Sequence, residues 1–198
     1  DRAFLARPDA LGNFNVVVVS SESFGAEFSK LYGSEHDLTP QFDHFAQQGL
    51  WFSHTYASGT RTVRGLEALT AVMPPIPTVS IVRRPGNEDI ATWGKVMRCL
   101  GYETSFLYGG YAYFDNMKHF YAGNGFEVAD RSDIAQPRFA NIWGVSDEDL
   151  FDLAIQRFDA QHQAGKPFFS IIMTTSNHKP YTFRPGLEGV GIPPSGGG

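Results

Sequence analysis

Four consecutive valines, Val16 to Val19, lie between Asn15 and Ser20-Ser21 with no polar alternation, which predicts a strand buried on both faces. Leu38-Thr39-Pro40 followed by Phe42, Phe45, Ala46 and Gly49 predicts a short amphipathic helix, with Thr39 as N-cap, Pro40 in the first helical position and Gly49 as the stop. Residues 50–56 read as a second strand. Residues 59–65 read as the turn into a helix that carries Leu66, Leu69 and Val72 and ends at Pro74-Pro75. Ile90, Trp93, Val96, Met97 and Leu100 stand at helical spacing and close at Gly101, with a strand over residues 102–107. The order repeats downstream. Leu150, Leu153, Ala154, Ile155 and Phe158 mark a helix over residues 147–164, Gly165 ends it, and residues 167–174 form the next strand.

Strands separated by single helices predict one α/β domain, an α/β/α sandwich with a mostly parallel central sheet whose crossover helices cover both faces. The stretch 108–125 is rich in glycine and aromatic residues, too irregular for a regular element, and directly follows a strand. Active-site loops occupy that position in open α/β sheets.

Composition narrows the function classes. The 198 residues are 42% hydrophobic and 14% aromatic, enough for a substantial core. A net charge of -5 gives no general attraction to nucleic acid or anionic lipid. The single cysteine, Cys99, excludes an intrachain disulfide and a multi-cysteine zinc site. The longest apolar runs, residues 16–19 and 168–173, fall far short of the roughly 20 residues that span a bilayer. The chain begins Asp1-Arg2-Ala3 and stops at Pro193-Pro194-Ser195-Gly196-Gly197-Gly198, which reads as the middle of a loop, so a domain incomplete on its C-terminal side is expected.

Glu22 follows the valine strand and stands where a parallel sheet presents its ligand-binding edge. Ser21-Glu22-Ser23 before Phe24 and Phe28 also resembles the capping segment of a helix, so a metal ligand and a helix-start acid are both open here. The segment Gly59-Thr60-Arg61-Thr62-Val63-Arg64-Gly65 combines hydroxyls, guanidinium groups and glycines at a strand-to-helix turn, where free N–H groups favour phosphate or sulfate. A threonine hydroxyl is a poor nucleophile. Thr62 in that role needs a metal to lower its pKa, as a metal lowers that of bound water from about 15.7 to about 7. The plain alternative is a capped helix with two solvated arginines. Asp43-His44 reads as a solvated helix face, and Glu35-His36-Asp37 as a polar turn.

These segments together resemble the sulfatase-type branch of the alkaline phosphatase superfamily, in particular membrane-anchored phosphoglycerol transferases such as lipoteichoic acid synthases and periplasmic-glucan phosphoglycerol transferases. The resemblance runs from Asn15-Val16-Val17-Val18-Val19-Ser20-Ser21-Glu22-Ser23 to Ser176-Asn177-His178-Lys179-Pro180-Tyr181. Between them come Leu38-Thr39-Pro40, the turn at Thr62, Tyr108-Gly109-Gly110 with Phe114-Asp115-Asn116-Met117, and Trp143-Gly144-Val145-Ser146-Asp147-Glu148. It implies that Glu22 is a divalent-metal ligand, that Thr62 is both a ligand and the nucleophile that becomes phosphorylated, and that His178 contacts the phosphoryl group or leaving oxygen. Arg61 or Arg64 is expected to neutralise phosphoryl charge, Tyr108 to line the substrate pocket, and Asp115 either to line it by accepting from a substrate hydroxyl or to cap its own loop.

The resemblance further implies a lipid phosphodiester donor of the phosphatidylglycerol kind and a glycan or polyol acceptor. It places the domain on the extracytoplasmic, periplasmic side of a membrane held by segments absent from this chain. Oxygen and imidazole ligands suit Mn2+ or Mg2+ better than Zn2+. Two departures stand out. The family completes its metal site with an Asp-His pair and glycine beyond the Asn-His segment, which this chain does not reach, so the 198 residues alone are expected to show no appreciable turnover. Lipoteichoic acid synthases also carry His-Gly and Phe-Trp-Asn-Arg where this chain has Tyr108-Gly109 and Phe114-Asp115-Asn116-Met117. A true sulfatase would need a formylglycine made from Cys or Ser in a Cys/Ser-x-Pro-x-Arg setting, which Cys99 lacks. Sulfate- or phosphate-ester hydrolysis and an inactive binding domain are the alternatives.

Overall fold

A computed structural model describes residues 14–75 and 77–186, so the terminal stretches Asp1-Arg2-Ala3 and Pro193 to Gly198 lie outside the described residues. Four parallel strands form the sheet: β1 (Val16–Ser20), β2 (Glu103–Tyr108), β3 (Glu127–Ala129) and β4 (Phe168–Met173). Their order is β1-β4-β2-β3, so the last strand in sequence inserts between the first two. Val16 pairs with Phe169 and Val18 with Ile171 on one side of β4, while Phe106 pairs with Ile171 on the other.

Alternation along the strands divides the core in two. Phe106, Tyr108, Phe169, Ile171 and Met173 face α2 (Thr62–Ala71) and α4 (Met117–Gly123), packing with Val63, Leu66, Phe120 and Tyr121. Leu107 and Ile172 face α5 (Asp147–Gln163), against Leu150 and Ala154. The tight approach of α3 (Trp93–Cys99) to this core requires Gly94, since a Cβ there would overlap the Phe126 ring. The α/β sandwich with a parallel sheet is therefore as the sequence predicts.

Several local expectations change. The valine strand is buried on one face: Val16 and Val18 pack against the core, whereas Val17 and Val19 are 42% and 47% exposed because β1 lies at the sheet edge and α5 covers β2 and β4. Residues 50–56 form no strand. Their order comes from side chains, with Trp51 Nε1 donating to Tyr32 Oη at 3.0 Å and Tyr32 Oη to the Phe52 carbonyl at 3.1 Å. The helix α1 (Pro40–Gln48) does start at Pro40, but Thr39 makes no side-chain cap and donates instead to the Phe28 carbonyl. Asp43 is buried, not solvated, and accepts from Ser29 Oγ at 2.5 Å and Lys30 N–H at 3.2 Å. The irregular-looking stretch 108–125 contains α4, whose Met117, Phe120 and Tyr121 are core residues.

Candidate active site

The chain leaves β1 at the carboxyl edge of the sheet and reaches Glu22 through Ser20-Ser21. Thr174, just past β4, binds this exit twice. Its N–H extends the ladder to the Ser20 carbonyl at 3.1 Å, and its Oγ1 accepts the Glu22 N–H at 3.0 Å. Asn177 donates through Nδ2 to the carbonyls of Glu22, at 3.2 Å, and Ser23, at 2.9 Å. Ser23 has φ of 49°, a left-handed conformation unusual for a non-glycine residue, and its hydroxyl donates to Glu22 Oε1 at 2.9 Å. The carboxylate is thus fixed from its own backbone outward.

Thr62 is the first residue of α2, after an extended Arg61 at the N-cap. Val63 and Leu66 bury the first turn in the core, which aims the helix N-terminus at the same edge. The Thr62 hydroxyl donates to Glu22 Oε2 at 3.0 Å, between residues 40 apart in sequence. The Arg61 carbonyl takes the Arg64 N–H at 2.9 Å, which leaves the N–H groups of Thr62 and Val63 at the helix start, where the helix dipole favours an anion. The helix-start hydroxyl and strand-end carboxylate therefore meet where an anionic group binds well.

Glu22, Thr62, Tyr108 and His178 line one cleft of about 30 Å³. Tyr108 ends β2 and is 8% exposed; burial, followed by the charges of Glu22 and Asp115, pushes its phenol up to about 12. It is a neutral hydrogen-bonding group at ordinary pH. The imidazole of His178 packs on the indole of Trp143, with centroids 3.8 Å apart. Trp143, Thr174 and Thr175 share the cleft wall with Phe114 and Met117. Thr174 and Thr175 were visible only as the end of a strand, and Trp143 only as part of a family segment; nothing local in sequence signals that they converge.

Arg61, Arg64 and Asp115 do not line this cleft. Arg61 is exposed at the N-cap. Arg64 is 17% exposed and engaged with Glu67 Oε1 at 3.0 Å and with the Thr78 carbonyl, tying α2 to the following loop. Asp115, with φ of 51°, pairs with Arg83 Nε at 3.3 Å. Cys99 is exposed at the end of α3, just before β2 begins, and so lies toward the sheet edge opposite the cleft.

The donors present suit a hard divalent ion in kind: a carboxylate and a hydroxyl already share a 3.0 Å contact, and both are oxygens. Among the described residues no group of three His, Cys, Asp or Glu side chains gathers to complete a shell. Glu22 and Thr62 are the residues that would hold the ion.

Known proteins share this fold. The sulfatase family model matches residues 14–190. The chain is 27% identical over 161 residues to phosphoglycerol transferase I of Escherichia coli (strain UTI89 / UPEC), covering 74% of this chain and 21% of that protein. It thus spans about a fifth of the length of such relatives. A solved alkaline phosphatase superfamily protein from Vibrio parahaemolyticus superposes with a TM-score of 0.83 at 42% identity, over 87% of this chain and 43% of that one. The lipoteichoic acid synthase LtaP from Listeria monocytogenes superposes with a TM-score of 0.76 at 19% identity, over 85% of this chain and 42% of its own, and shares the fold. With the family model spanning nearly the whole described sheet and both strand-end loops, the chain belongs to the sulfatase family, within the alkaline phosphatase superfamily.

Proposed function

We propose that the protein is the core of a metal-dependent phosphoglycerol transferase that uses Thr62 as nucleophile on a lipid-derived phosphodiester. The Thr62 hydroxyl, 3.0 Å from Glu22 Oε2 at a helix N-terminus, is the observation that carries this reading. Similarity to phosphoglycerol transferase I supports the substrate class. The partners are a phosphatidylglycerol-like donor and a glycan or polyol acceptor. The domain works outside the cytoplasmic membrane, anchored by parts of the protein other than these residues; no helix among those described is long and apolar enough to cross a bilayer.

In the first step Thr62 Oγ1 bonds to phosphorus as the bond to the lipid alcohol breaks. The hydroxyl hydrogen faces Glu22 Oε2, which leaves the oxygen lone pairs for the phosphoryl group. N–H groups of the first α2 turn receive the phosphoryl oxygens, and Tyr108 offers a neutral donor beside them. His178 Nε2 protonates the departing oxygen, while Glu22 Oε2 takes the Thr62 proton. In the second step an acceptor hydroxyl, or water, gives its proton to His178 Nε2 as it displaces Thr62 Oγ1 from phosphorus, and the threonine recovers its proton from Glu22 Oε2. A Mn2+ or Mg2+ ion held by Glu22 and Thr62 would lower the hydroxyl pKa. Arg61 is the guanidinium free to approach the substrate from the helix start.

Sulfatase chemistry by the formylglycine route has no residue here, since Cys99 stands at the opposite edge of the sheet. The decisive experiment is mass spectrometry of the intact enzyme stalled on a phosphatidylglycerol analogue. A phosphoglycerol adduct on Thr62, absent in Thr62→Ala, is expected; an adduct on another residue, or full turnover by folded Thr62→Ala, overturns the assignment.

A further inference from the structure

The imidazole of His178 is held on two sides. Its ring lies 3.8 Å from that of Trp143, with the planes inclined by 31°, and Nδ1 lies 2.8 Å from the Lys179 carbonyl oxygen. A carbonyl oxygen only accepts, so Nδ1 carries the hydrogen in this contact. Nε2 is then the ring nitrogen left for a ligand.

Trp143 is itself fixed by backbone contacts. Its N–H donates to Asn141 Oδ1 at 2.8 Å, Gly144 N–H donates to the same oxygen at 3.1 Å, and Asn141 Nδ2 donates to Thr182 Oγ1 at 2.9 Å. The last bond reaches the loop that carries His178. A second tie comes from Asp147, whose Oδ1 accepts the N–H groups of Thr175 and Ser176 at 2.9 and 3.0 Å. Gly144 lets the segment lie against the end of β2 and Thr175: a Cβ there would sit 2.7 Å from Thr175 Oγ1. The two loops are joined on both sides of the ring pair, so the indole reaches His178 as a fixed wall.

We propose that Trp143 is a positioning residue for His178, its indole face acting with the Lys179 carbonyl to fix the ring plane and keep the Nδ1 hydrogen in place, so that Nε2 is the nitrogen that passes a proton to the departing oxygen and takes one from the acceptor hydroxyl. The last torsion of histidine is broad and roughly two-fold, so one hydrogen bond on a half-exposed loop leaves the ring free to turn. Packing against a flat partner removes that freedom. The proposal rests on the reading of His178 as the group that meets the leaving oxygen.

The test combines kinetics in the intact enzyme with 15N correlation spectra of the histidine rings. Trp143→Leu is expected to lower kcat about tenfold with KM changed less than about twofold, and Trp143→Phe, which restores a flat ring, to recover most of it. In a His178→Gln background, Trp143→Leu is expected to add nothing. The His178 ring should show the Nδ1–H form in the wild type and a mixture of tautomers in Trp143→Leu. An equal loss in the His178→Gln background, or an unchanged ring spectrum in folded Trp143→Leu, overturns the proposal. Wild-type activity in His178→Gln would instead sink the role of His178 in the reaction, and the ring spectrum, which needs no turnover, then decides the role of Trp143.

Discussion

The Glu22 N–H donates to Thr174 Oγ1 at 3.0 Å across 152 residues of sequence, so the position of the strand-end carboxylate is set by the residue that closes β4. Thr174→Val keeps the shape and removes the acceptor. It leaves a part-buried N–H unpaired, a cost of about 1–3 kcal/mol. Activity of the intact enzyme should fall by at least about tenfold as Glu22 shifts, and Thr174→Ser should retain most of it. Paired melting and kinetic measurements check both.

Metal affinity follows from the same carboxylate. Mn2+ added to the apoenzyme and followed by electron paramagnetic resonance should bind with Glu22 as a ligand, and Glu22→Gln should weaken binding by at least about tenfold. Chelation should abolish transfer, and Mn2+ or Mg2+ should restore it. Undiminished Mn2+ binding in Glu22→Gln would remove Glu22 from the site.

Tyr108 offers a spectroscopic check on the cleft. Its phenol is pushed up to about 12 by burial and then by the negative charges of Glu22 and Asp115. Ultraviolet titration should show a step near there that disappears in Tyr108→Phe. A cation bound at Glu22 offsets one of those charges, so Mn2+ should move the step to lower pH while burial keeps it above the ordinary tyrosine range.

Glu67 supports the cleft from below. It is 3% exposed and accepts from Ser80 Oγ at 2.6 Å, Ile81 N–H at 2.7 Å and Arg64 Nη1 at 3.0 Å. Burial pushes its carboxyl up, but these hydrogen bonds and the Arg64 charge outweigh burial and hold it below the usual range. A carboxyl depressed in the folded state contributes stability above its unfolded pKa, and that contribution is lost as pH falls through the folded value. Melting temperatures taken from about pH 7 down to about pH 3 should fall, and Glu67→Gln, less stable at neutral pH by roughly 3 kcal/mol, should fall less steeply.

The elements that sequence reveals are those marked by a continuous apolar run or by one dominant helical face. The runs at Val16 and Phe168, and the helical spacing from Leu150 to Phe158, appear in the structure within a residue or two. Helix α4 was hidden because Met117, Phe120 and Tyr121 stand among glycines and turn-forming Asp115 and Asn116, which take left-handed conformations. Residues 50–56 have the composition of a strand, but they pair with no strand among the described residues and are held by side-chain bonds instead. In the site, Glu22, Thr62 and His178 were legible through their family segments. The roles of Thr174, Asn177 and Trp143 were not, because a bond such as that from Asn177 to the Glu22 carbonyl spans 155 residues and leaves no local pattern.

The placement of β4 between β1 and β2 also sets the order in which the molecule can be made. Asn15 and its partner Phe168 are 153 residues apart, which at about 5–20 residues per second leaves the valine strand without its neighbour for roughly eight to thirty seconds of synthesis. Until β4 emerges, both hydrogen-bonding edges of Val16–Ser20 are open, and the residues that will form the cleft have no shared surface on which to meet. The valine strand therefore stays open and aggregation-prone until residues 168–173 dock beside it.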